Sequence, residues 1–67
     1  MKAKINIKIE SPKHTLHVDD IVIISLTEIL SPFNIKLSNS EDSNIFIRCS
    51  PEFFRKWIQS NRIELIP

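Results

Sequence analysis

The chain has 67 residues, a formal net charge of +1, one cysteine and no glycine. That length holds one domain at most and buries only about 60% of the surface its unfolded form exposes, so added burial by self-association is a reasonable expectation. One cysteine excludes an internal disulfide, a charge near zero excludes a global polybasic signal, and the absence of glycine excludes the usual P-loop, dinucleotide fingerprint, nucleophile elbow and GXXG clamp.

Residues 2–10 read as an opening strand. Ala3, Ile5, Ile7 and Ile9 alternate with Lys2, Lys4, Asn6, Lys8 and Glu10, which puts an apolar set on one face and a mostly cationic set on the other. Ser11 and Pro12 end the strand. Residues 14–18 fit either a strand or a loop. Asp19 is the N-cap candidate of a first helix over residues 21–31, and Asp20 places negative charge in its first turn. Val22, Ile23, Leu26, Ile29 and Leu30 form the helical stripe, although Ile21, Val22, Ile23 and Ile24 are all β-branched and carry strand propensity. Pro32 closes that helix.

Residues 33–38 alternate again, with Ile35 and Leu37 on one side and Asn34, Lys36 and Ser38 on the other. The polar run 39–43 reads as an exposed turn, and residues 44–49 as a third strand with Ile45, Ile47 and Cys49 on one face and Phe46 and Arg48 on the other. Ser50, Pro51 and Glu52 form an N-terminal helix signature. The helix they open buries Phe53, Phe54, Trp57 and Ile58, and Asn61 supplies a left-handed stop. Residues 62–66 make a last strand.

The expected order is β-α-β-β-α-β, which is the α+β, ferredoxin-like sandwich: a four-stranded antiparallel sheet with two helices on one face. The first and third strands should be its central, neighbouring pair. The open sheet face then gathers Lys4, Lys8, Lys36, Phe46, Arg48 and Arg62, a cationic surface with an aromatic ring in it. Cations that track phosphates and a ring that stacks a base suit single-stranded RNA or DNA. This resembles the strategy of RNA-recognition-motif domains, whose third-strand motif carries glycine and more aromatics than residues 44–48 do. The bland alternative is a solvated face whose lysines guard the sheet against aggregation.

A second surface consists of Ile21 and Ile24, off the helical stripe, as a protein-contact or dimer patch, with Phe46 as a further anchor for sheet-to-sheet pairing. His14 and His17 make one pair of nitrogen donors, too few for a metal site, and no arrangement of Ser, His and Asp indicates a triad. No catalysis, cofactor, metal or small-molecule substrate is expected. No uninterrupted apolar run marks a secretory signal or a membrane span, which with the single cysteine points to the cytoplasm.

The segment Glu52-Phe53-Phe54-Arg55-Lys56-Trp57-Ile58-Gln59-Ser60-Asn61-Arg62-Ile63 resembles the recognition-helix segment of phage excisionases and related winged-helix proteins, over about a fifth of the chain. The resemblance implies that Arg55, Lys56, Gln59 and Arg62 face a major groove and its phosphates. Two strands stand where that family has its first helix. A composition rich in Ile, Lys, Asn and Ser fits an accessory protein of a phage or mobile element. The leading expectation is a non-catalytic regulatory module that acts by protein contact and self-association. The alternative is the nucleic-acid module.

Overall fold

The computed structural model of the chain describes residues 1–27 and 32–67. The described residues form seven strands and one helix: β1 (Lys2–Ile5), β2 (Ile9–Glu10), β3 (Thr15–Leu16), β4 (Ile21–Leu26), β5 (Ile35–Asn39), β6 (Phe46–Cys49), α1 (Pro51–Gln59) and β7 (Ile63–Ile66). Five strands form one antiparallel sheet in the order β6-β5-β4-β1-β7, and β2 and β3 form a separate hairpin. The ferredoxin-like sandwich is therefore overturned.

The correction starts at residues 21–26. A helix was expected there, and the chain forms β4, the central strand of the sheet. Branching at Cβ costs rotamer freedom in a helix and packs well on a pleated surface. Cross-strand partners on both sides then decide the outcome: Ala3 lies opposite Val22, and Leu37 opposite Ile24. The expected helical positions Glu28, Ile29, Leu30 and Ser31 lie outside the described residues. Asp19 caps no helix. It takes a left-handed conformation, φ 72°, in the turn before β4, where the Asp20 carboxylate accepts from the His17 N–H at 2.8 Å.

The opening strand is shorter than its alternation implies. It breaks after Ile5, and Ile7 is 53% exposed. Asp19 N–H donates to Ile5 C=O and Ile5 N–H donates to Asp20 C=O, so residues 6–18 leave and rejoin the sheet at one point. The β2–β3 hairpin stands on that excursion, and its Leu16 is fully buried in the core. Nor are β1 and β6 neighbours: β4 and β5 separate them, and β1 pairs instead with β4 and β7.

The alternation of β5 and β6 holds, and that of β7 holds at Ile63 but leaves Leu65 43% exposed. Ile35, Leu37, Ile47, Cys49 and Ile63 are buried with Ala3, Ile5 and Val22 in one cluster. Cys49 at one sheet edge and Ile63 at the other belong to that same cluster, so the sheet curls around a single core. Helix α1 connects the two edges. The Ser50 hydroxyl accepts from the Phe53 N–H at 3.2 Å as N-cap, Pro51 opens the helix, and Asn61 follows it with φ 61°. Phe54, Trp57 and Ile58 pack from α1 onto the core. Asn39 shapes the β5–β6 turn, its side-chain oxygen accepting from the N–H groups of Glu41 and Asp42. No helix among the described residues is long and apolar enough to cross a membrane.

Candidate nucleic-acid interface

Side chains on alternate positions of the sheet point away from the core, and the register arranges them in three rows. They are Glu64, Lys4 and Ile21; Ile66, Lys2, Ile23, Ser38 and Phe46; and Ser25, Lys36 and Arg48. Lys36 and Arg48 are direct cross-strand partners. Both lean on Phe46: the Lys36 Nζ lies 4.5 Å from the ring centroid and the Arg48 guanidinium carbon 5.4 Å. These are cation–π distances.

A third group reaches the ring from the hairpin. The Ser11 hydroxyl donates to the His14 C=O at 3.0 Å and accepts from the His14 N–H at 3.1 Å, which fixes the β2–β3 turn. That turn sets the His14 imidazole 5.2 Å from the Phe46 centroid, tilted by 32°. Pro12, Lys13, His14, Phe46 and Arg48 line a shallow cavity of about 330 Å³. Among the described residues no carboxylate lines it. The one ion pair among the described residues lies elsewhere, between Lys8 Nζ and Glu10 Oε1 at 2.8 Å. Its hydrogen bond, and then its charge, hold the Glu10 carboxyl below its usual range and the Lys8 ammonium above its own.

The structure thus brings Lys36, Phe46 and Arg48 together and disperses the other expected residues. Lys4 stands between Ile21 and Glu64 in the first row. Lys8 lies between β1 and β2, with its charge matched by Glu10. Arg62 follows α1 and lines a different cavity, of about 480 Å³, with Phe53, Lys56, Trp57 and Gln59. Ile21 and Ile24 do not form a patch. Ile21 is on the outer face, whereas Ile24 packs against the core. Comparison of the chain with protein families, with curated proteins and with solved structures gives no match.

The sequence offers His14 only as one of two nitrogen donors, too few for a metal site, and its place beside Phe46 depends on a hairpin that residues 9–16 do not announce. Cys49 is buried beneath this surface, and burial pushes its thiol up to about 11 from an ordinary value of 9.0. A thiol-specific reagent near neutral pH should modify it only as fast as the domain opens. Between pH 9 and 11 the unfolded chain has released this proton and the folded chain has not. Stability should be flat with respect to this group below pH 9 and fall as pH rises through that window, which denaturant titrations across it will read.

Proposed function

We propose that the chain is a single-stranded nucleic-acid-binding module that acts by binding alone. The observation that carries this reading is the Lys36–Arg48 pair. Like charges directly opposite each other on neighbouring strands cost stability. Here they are drawn to one ring, and among the described residues no carboxylate forms an ion pair with either. Phosphate oxygens would relieve that repulsion and displace counterions. Phe46 is then a pillar that holds two cations rather than an open stacking platform, because Lys36, Arg48 and His14 already surround it. Titration of a labelled oligothymidylate into wild type and the Lys36→Glu/Arg48→Glu variant tests the reading. Equal binding by both, or binding insensitive to salt, overturns it.

A second reading, self-association through the outer face, has its own observation. Ile23, 43% exposed, and Ile66 flank Lys2 in the middle row. On this reading light scattering gives a dimer for the wild type and a monomer for Ile23→Asp. A wild type that stays monomeric at millimolar concentration removes it. Ile24→Asp is unsuitable for the purpose, since Ile24 faces the core and a charge there costs folding.

A further inference from the structure

We infer that the bound strand does not cross the lysine face of β1 but follows a groove over β6 onto α1, where Phe53 and Trp57 stack a base and Lys56 and Arg62 hold phosphate. This rests on the nucleic-acid reading and specifies its path. Three concavities carry it. The one at Phe46 shares Ser11, Pro12 and Arg48 with a second, of about 260 Å³, between the hairpin, β6 and the start of α1. The second shares Phe53 and Trp57 with the 480 Å³ cavity beyond α1. Through these shared residues they link Phe46, on which Lys36 leans, to Arg62.

The charge along that line is one-sided. Lys13, Arg48, Lys56 and Arg62 line it, and the carboxylate on it, Glu10, is already engaged by Lys8. The two ends offer different chemistry. At Phe46 the ring is taken up by cations. On α1, Phe53 is 52% exposed, its centroid is 6.3 Å from that of Trp57, and Lys56 Nζ lies 5.7 Å from it. An exposed phenyl ring beside a half-buried indole and two cations suits a planar base with a flanking phosphate. A groove with phosphate-binding groups at one end and stacking rings at the other fits a polymer that repeats both elements.

Trp57 is the only tryptophan in the chain, so its emission reports the α1 end alone. Oligothymidylates from about 2 to about 12 nucleotides bracket the site of a small binding fold. The shortest should bind weakly, through Lys36 and Arg48, without changing that emission. The longest should quench it and bind more tightly. Phe53→Ala, at an exposed position, should weaken the long oligomers about 5- to 150-fold and spare the short ones, and Lys56→Glu/Arg62→Glu should act in the same direction. Suppose instead that long oligomers bind in a Lys36- and Arg48-dependent way while emission stays constant and both α1 variants are neutral. Then the path is wrong and the nucleic-acid reading stands. If no oligomer binds, the reading itself falls and the path falls with it. Polyglutamate that binds as tightly and quenches as strongly would overturn the path in favour of an acidic polypeptide.

Discussion

Leu37→Ala should remove a large share of the domain's stability. Leu37 is fully buried on β5, opposite Ile24 on β4 and Ile47 on β6. Truncating such a side chain costs about 2–5 kcal/mol, because the transfer energy is lost and a cavity remains. A chain of this length has only about 3–10 kcal/mol to lose. At about 4–8 °C per kcal/mol the midpoint should fall by about 8–40 °C. Urea titration followed by far-UV circular dichroism will measure it, with Lys36→Ala on the opposite face of the same strand as the control, expected within about 0.5 kcal/mol. A loss below about 1 kcal/mol for Leu37→Ala would mean that the core is not organised around β5.

The second large effect is on binding. Lys36→Glu/Arg48→Glu should lower oligonucleotide affinity by at least about 100-fold at low salt, since two attractive charges become repulsive. If Lys36, Arg48, Lys56 and Arg62 all engage phosphate, log K should fall with log salt at a slope of about −2.8, or roughly 50-fold between 50 and 200 mM. Losing two of the four contacts should bring the slope to about −1.4. Folding and binding also separate here. The single change Lys36→Glu sets opposite charges across β5 and β6 but removes the cation–π contact with Phe46, so stability should change by less than about 1 kcal/mol while binding weakens. A variant that keeps its stability yet binds less identifies Lys36 as a binding cation and not a structural one. Lys2→Glu, away from the groove, should change affinity little.

Where a residue's neighbours are local, the sequence was informative. Ser50, Pro51 and Glu52 specify the start of α1 through contacts within one turn. The alternations Ile35/Leu37 and Ile47/Cys49, joined by the polar run from Asn39, specify a hairpin, and period two then places Lys36, Phe46 and Arg48 on one face. Residues 21–26 failed because their state is decided by strands far off in sequence. Leu26, Ile29 and Leu30 completed a helical stripe on paper, while the actual partners of β4 are β1 and β5. Ile7 failed because alternation continues past the point where Ile5 turns back to pair with Asp19 and Asp20. The α1 half of the groove stayed hidden for a related reason. Phe53 and Trp57 read as core residues by spacing, and only the curl of the sheet leaves Phe53 half-exposed beside Lys56.

The position of β1 between β4 and β7 also bears on how the chain folds. Its pairing with β4 encloses the β2–β3 excursion, whereas its pairing with β7 joins Lys2 to Ile66 across almost the whole sequence. Closing so long a loop costs about 1.5 kcal/mol more than closing one of ten residues. The β4–β5–β6 meander is the cheaper nucleus, and β7 is expected to dock after it. Until it docks, one edge of β1 lacks its partner, so the late step in folding exposes the edge that would recruit a second chain.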